Sequence, residues 1–278
     1  MRYVAYRTGF ESGDGGVVVG VLDPSGAAIA PIAPIADFYA DPSSFLRAAP
    51  TGAAVPREQV RTVPPVPAGA RVLCLGLNYR AHAAESGAEP PSRPTVFGRF
   101  TSTLCCDGDP VAVPPAEGRL DWEAELVAVL GAGLRSASPA EAQRAVLGFT
   151  CGNDLSARGF QMATSQWTLG KNTPGSAPIG PEVVTADELG DHTKLHIGCT
   201  VNGAVMQSAS TADMIFGVAE SLAYISGAMD LHPGDLLFTG TPEGVGFTRE
   251  PPVFLVPGDT VTVEIEGIGT LTNTIVGA

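Results

Sequence analysis

Glu123 and Glu125, separated by one alanine in DWEAELVAVL (121–130), are the residues whose types and spacing most directly suggest chemistry. Their neighbours are apolar and partly β-branched, which predicts a largely buried strand. On a strand, positions i and i+2 face the same side, about 7 Å apart between Cα atoms. Two ionised carboxylates that close and half-buried repel each other unless a partner neutralises them. A hard divalent cation with oxygen ligands is the simplest such partner, and Asp154 of GND (152–154) offers a third carboxylate. Strand alternation is equally consistent with two glutamates on the solvated face of an edge strand. The spacing alone leaves both open.

Four further groupings could do chemistry. In LNYRAHAAESG (77–87), His82 and Glu85 are three residues apart; on a short helix they share a face, and the carboxylate would orient the imidazole as a general base. The same pair could be incidental on a solvated helix. In GNDLSARGFQ (152–161), Asp154, Arg158 and Gln161 recur at helical spacing, as a metal ligand followed by two groups that fix a substrate carboxylate would, or as an ordinary surface ion pair would. Lys171 lies in the Gly/Pro-rich LGKNTPGSAPIGP (169–181), and TGTPEGVG (239–246) can offer Thr241 and backbone N–H groups, that of Gly240 among them, to an oxyanion. HExxH, a P-loop lysine and GxSxG are absent, which argues against a zinc protease, an NTPase and a serine hydrolase.

The elements that must position these residues are mainly strands. RYVAYR (2–7), 16–22 and 27–32 alternate around a DPSG turn, and a short helix capped by Asp41 is expected over 41–49. Proline crowding at 62–70 marks a boundary, so 1–66 is expected as a small accessory β-rich domain and 67–278 as the catalytic one. Strands are expected at 71–77, 121–130, 236–241 and 260–267, with a hairpin over 195–210 turning at Asn202-Gly203. SPAE (138–141) reads as a capping box for a helix to about Leu147, and 211–226 as one periodic helix capped at Thr211. The class is mainly β with α (α+β), a rolled or barrel-like β core.

Length and composition set the outer limits. A chain of 278 residues with 44% hydrophobic and 16% charged residues has the makings of an enzyme-sized core. A net charge of −13 without any basic stripe argues against nucleic acid and anionic membranes as partners. The first residues lack a signal peptide's apolar core and no apolar run is long enough to span a bilayer, so a cytoplasmic protein is expected. Five cysteines without metal-like spacing read as buried free thiols.

Taken in order, GLNYRAHAAE (76–85), PTVFGR (94–99), DWEAELVAV (121–129), GNDLSARGFQ (152–161), QWTLGK (166–171), PIGP (178–181) and LHPGDLLFTGTPEGVG (231–246) closely resemble the fumarylacetoacetate hydrolase family, in its bacterial long form with a small N-terminal domain. The resemblance covers about 70–278. It implies a mixed β-sandwich roll, usually homodimeric, and a small oxo acid as substrate. By position, Glu123, Glu125 and Asp154 look like ligands of Mg²⁺ (or Mn²⁺), and His82 and Glu85 like a catalytic dyad on a lid. Lys171, Arg158 and Gln161 look like enolate- and substrate-stabilising groups, Thr241 and Gly240 like binders of the oxo-acid end. The implied chemistry is enolate stabilisation by a Lewis-acidic cation. It leads to hydrolysis of a C–C bond in an acylpyruvate-like or 2,4-dioxo acid with His82 activating water, or alternatively to oxaloacetate-type decarboxylation or 2-hydroxymuconate-type isomerisation. A non-catalytic small-molecule binder on the same fold is the alternative of a different class. Three departures point to an altered pocket: Arg99, also a substrate-binding candidate, for the usual lysine; Gly159 for a frequent aspartate; and Asn172-Thr173-Pro174 for Ser-Phe/Tyr-Asp.

Overall fold

The apolar run after Glu123 forms the middle of the molecule. In the computed structural model, which describes residues 1–7, 16–115 and 119–278, the strand Ala124–Leu130 is buried at every position. It pairs antiparallel with Val146–Asn153 on one side and with Leu236–Phe238 on the other. A strand covered on both faces needs no polar alternation, which is why this run is continuous. Parallel pairing of Leu236–Phe238 with Val72–Gly76 extends the sheet. Among the described residues this sheet has twelve strands, and a second sheet of five, which includes the hairpin His196–Val201 and Ala204–Ser210, packs on it. Leu126 and Ala128 of the first and Ile197 and Val263 of the second share one apolar core. The result is the mixed β-sandwich, α+β in class, that the sequence suggests.

Residues 1–66 are less separate than the proline boundary suggests. The strand Arg2–Arg7 pairs antiparallel with Ala177–Thr185, so the N-terminal strands lengthen the central sheet. Tyr3, Val19 and Phe38 pack in one cluster with Val127, Val183 and Phe238. Burial of such side chains stabilises each by about 1.5–3 kcal/mol, enough to make the seam a continuous core.

Local signals succeed where the backbone hydrogen bonds are local. Asp41 accepts from Ser44 N–H at the start of Pro42–Phe45, and Ser138 and Glu141 form both arms of the capping box on Pro139–Ala145. Asn202 and Gly203 take φ values of 51° and 79°, as a type I′ turn requires. All five cysteines are buried and free. The expected helix over 211–226 is broken: Thr211–Asp213 is a single 3₁₀ turn capped by Ser210, and the helix proper is Val218–Ser226. Between them the chain is captured by buried Asn78. Its carbonyl accepts from Ile215 N–H (2.7 Å), its Oδ1 from Phe216 N–H (2.9 Å), and its Nδ2 donates to Phe216 O and Thr239 O (3.0 and 2.7 Å). Periodicity cannot anticipate a side chain that replaces helical partners from across the fold. No described helix is long and apolar enough to cross a membrane.

Replacing Asn78 by alanine orphans the buried carbonyl of Thr239 and the part-buried N–H and carbonyl of Phe216. A loss of about 2 kcal/mol or more is expected in urea unfolding; a loss below about half a kcal/mol would rule out this anchoring.

Candidate active site

Antiparallel register builds the acidic centre. Ala124 lies opposite Asn153, so Glu123 lies opposite Asp154, whose N–H donates to Glu123 O (2.9 Å). Glu123, Glu125 and Asp154 are buried, and one carboxylate oxygen from each lies within 4.8 Å of the others. The solvated-edge alternative is therefore excluded. Asp154 does not share a helix with Arg158 and Gln161, as their spacing suggests; it directly follows the strand Val146–Asn153, and the helix is only Arg158–Met162.

Cations close around the carboxylates. Lys171 Nζ lies 2.7 Å from Glu123 Oε2 and 2.5 Å from Asp154 Oδ2. Arg158 contacts Glu123 Oε1 at 2.7 Å and Asp121 Oδ2 at 2.8 Å, and donates to Gln161 Oε1 (2.7 Å). Arg99 holds Asp154 Oδ1 from behind while donating to Ser176 Oγ (2.9 Å) and Leu155 O (2.7 Å). Four buried carboxyls thus face three cations. Burial would raise the Glu123 carboxyl, but Lys171 and Arg158 hold it well below the usual carboxylate range. Burial lowers the Lys171 and Arg158 ammonium and guanidinium groups, yet Asp154, Glu123 and Asp121 more than offset it, so both stay protonated. Glu125 is the group left over. Its Oε2 accepts from Gly240 N–H (2.7 Å), and burial, with Asp154 and Glu123 beside it, pushes its carboxyl well above the ordinary range. An all-oxygen donor set with one uncompensated buried carboxyl fits a hard divalent cation such as Mg²⁺ or Mn²⁺.

The glycine-rich segment after Leu236–Phe238 ties the rest together with backbone donors. Gly240 N–H serves Glu125, Gly244 N–H serves Glu85 (2.9 Å), and Gly246 and Phe247 N–H serve Asp121 (2.7 and 3.1 Å). Such close approach requires glycine. At Gly240 (φ 89°) a Cβ would come within 2.7 Å of Asn78 Cβ, and at Gly244 (φ 94°) within 2.2 Å of Met206 O. His82 and Glu85 lie on the helix Arg80–Glu85, with Nδ1 and Oε1 2.7 Å apart. Burial would raise the Glu85 carboxyl, but hydrogen bonds from His82 and Gly244 N–H, with Thr248 Oγ1 at 3.2 Å, hold it below its ordinary value. An ionised Glu85 only accepts, so in the neutral imidazole Nδ1 carries the proton and Nε2 the free lone pair.

A cavity of about 250 Å³ lies over this centre, with His82, Glu123, Arg158, Gln161, Lys171 and Thr241 on its wall. Two expected substrate contacts are placed elsewhere: Arg99 and Gly240 are not on the wall but behind Asp154 and Glu125, holding those carboxylates. Asp121, Asn153 and Gln207 were not singled out by the sequence. Asn153 Oδ1 accepts from Glu123 N–H (3.0 Å); Gln207 Oε1 accepts from Ala124 N–H (2.9 Å) while its Nε2 donates to Thr241 Oγ1 (2.8 Å). Only Asp121 left a signal, since it stands two residues before Glu123 in the same strand-like run.

With this geometry in view, the family can be decided. The model of the fumarylacetoacetate (FAA) hydrolase C-terminal domain matches residues 71–276. The chain belongs to this family. It is 39% identical over 277 residues to the mitochondrial oxaloacetate tautomerase FAHD2A of Bos taurus, covering 96% of this chain and 87% of that one. Among solved structures it is similar to a 2-hydroxyhepta-2,4-diene-1,7-dioate isomerase from Mycobacterium marinum (35% identity, TM-score 0.79, 100% and 98% of the two chains). It is also similar to a fumarylpyruvate hydrolase from Pseudomonas aeruginosa in complex with Mn²⁺ and pyruvate (33% identity, TM-score 0.71, 78% and 92% covered). The family member at hand thus has relatives with three different reactions and an acidic centre suited to a divalent ion.

Glu125 yields a crossed expectation. Its folded carboxyl is raised far above its ordinary value of 4.5, so metal-free protein loses stability as the pH rises above that value. Glu125→Gln removes this loss and should melt higher than wild type at neutral pH without metal, yet gain little from Mg²⁺ or Mn²⁺. Wild type should show the reverse, with metal-induced stabilisation growing with pH. Equal metal-induced shifts in the two proteins would rule out Glu125 as a ligand.

Proposed function

We propose that this chain catalyses enol–keto proton transfer at the carbon beside the oxo group of a small 2-oxo acid, with Mg²⁺ or Mn²⁺ as cofactor. The observation that carries this is the His82–Glu85 dyad: His82 is on the cavity wall, held by Glu85 and not consumed by the ion pairs around Glu123 and Asp154. Similarity to the oxaloacetate tautomerase supports the same reaction class.

Glu123, Glu125 and Asp154 would hold the cation, which when bound supplies Lewis-acid polarisation of the oxo acid. The remaining steps belong to the protein. Arg158 and Gln161, rigidly joined, draw and orient the substrate carboxylate. The Lys171 ammonium, fixed and desolvated, stabilises negative charge developing on the oxo oxygen. His82 Nε2 removes the proton and returns it to the other site, while Glu85 stabilises the transient imidazolium through Nδ1–H. Thr241, oriented by Gln207, lies on the same wall as a hydroxyl donor.

Similarity to the fumarylpyruvate hydrolase favours a second reading, hydrolytic C–C cleavage of an acylpyruvate-like 2,4-dioxo acid. The same imidazole would then take its proton from water. Following enol or diketone absorbance beside pyruvate release separates the two. Absorbance loss without pyruvate supports tautomerisation, and matching pyruvate supports hydrolysis; neither signal from either substrate class overturns both.

His82→Ala should lower kcat by about 100-fold or more while keeping the metal-induced rise in melting temperature. Near-normal turnover in this variant would refute the assignment of His82 as the base.

A further inference from the structure

We infer that the substrate carries an apolar substituent, alkyl or aryl, beyond its oxo-acid end, rather than a second carboxylate. This deepens the proposed proton transfer and rests on it for the placement of the oxo acid.

The permanent charges on the cavity wall gather around one carboxylate. Among the described residues on its wall, the permanent cations are Arg158 and Lys171, and both point to Glu123 at 2.7 Å. Those two and the acidic centre receive the oxo acid. The remaining wall is dominated by Leu77, Ala88, Phe97, Met162, Trp167 and Phe247. Phe97 and Trp167 meet edge to face with centroids 5.4 Å apart, which makes an aromatic corner next to Lys171, whose Nζ is 5.2 Å from the Phe97 ring centre. Met162 follows Gln161 on the same short helix and leaves 68% of its surface exposed, an adaptable apolar side chain on the wall that a substituent would cover.

Among the described residues, the wall offers a second carboxylate no further permanent cation. Ser86 can offer a neutral hydrogen bond but no charge. Arg80, at the start of the dyad helix, and Arg93, beyond its end, are exposed and off the wall. Residues 8–15 and 116–118 contain no lysine, arginine or histidine. A distal carboxylate would thus lose its hydration against apolar side chains without a cationic partner, whereas an alkyl or aryl group gains by covering them.

The test uses the full chain loaded with Mg²⁺ and two 2-oxo acids that share the enolisable end, phenylpyruvate and oxaloacetate. Enol-to-keto conversion is followed for each, and binding of each is measured by calorimetry. The expected result is a kcat/KM for phenylpyruvate higher by about tenfold or more. Met162→Arg, at an exposed position, should narrow or reverse that preference. A kcat/KM for oxaloacetate equal to or above that for phenylpyruvate overturns the inference while leaving the proton-transfer reading intact. If neither is turned over, binding decides: phenylpyruvate held about tenfold tighter keeps the apolar end and discards the proton-transfer reading. Equal or tighter binding of oxaloacetate, or binding of neither, discards both.

Discussion

The burial of Asp121, Glu123, Glu125 and Asp154 is the constraint on which the site depends. Ionised carboxylates do not enter an apolar core without partners. Here three cations, Arg99, Arg158 and Lys171, reach three of them, and Glu125 is left with Gly240 N–H. Removing one partner from such a network leaves a buried charge uncompensated, so each cation is tied to the fold as well as to the chemistry. The shortfall of one positive charge is what makes the centre receptive to a divalent ion.

The same constraint explains the glycine-rich segment from Thr239 to Thr248. Its backbone N–H groups reach Glu125, Glu85 and Asp121, so one stretch of chain fixes a candidate ligand, the dyad and the anchor of Arg158. Backbone donors cannot be withdrawn by rotamer changes, and they hold carboxylates without adding bulk to the cavity. Movement of this segment would therefore disturb acid–base and binding groups together. In the proposed reaction the division of labour is spatial: the acidic centre and its cations would meet the oxo acid, the dyad would handle protons, and the apolar wall would meet the remainder of the substrate.

Arg99 shows how a departure in sequence acquires meaning from its surroundings. Lysine could offer one ammonium to Asp154; the guanidinium spreads three contacts over Asp154, Ser176 and Leu155 O. Ser176 belongs to the same loop in which Asn172-Thr173-Pro174 departs from the family pattern. Arg99 lies behind Asp154, and neither it nor 172–174 is on the cavity wall, so these changes act on what supports the wall rather than on what it presents. The expectation of a substrate contact fails at Arg99 because sequence identifies a cation but not the side from which it approaches.

Much of this molecule was legible before its structure. The continuous run at 124–130, the alternating strands, the Asn202-Gly203 turn and the Ser138–Glu141 box all depend on neighbours along the chain, and period, capping and turn chemistry report them. The carboxylate pair and the dyad were visible for the same reason, each lying within a few residues of its partner. The helix over 211–226 was misread because Asn78, more than a hundred positions earlier, supplies the hydrogen bonds that unwind its first half. Asp121, Asn153 and Gln207 escaped notice for a related reason: an acid or amide declares its role only when strand register brings its partner into reach. The sequence by itself determined which groups could bind a cation and move a proton. The tertiary structure decided which of them face the cavity and which stand behind it, because only non-local packing sets the direction from which a buried charge is met.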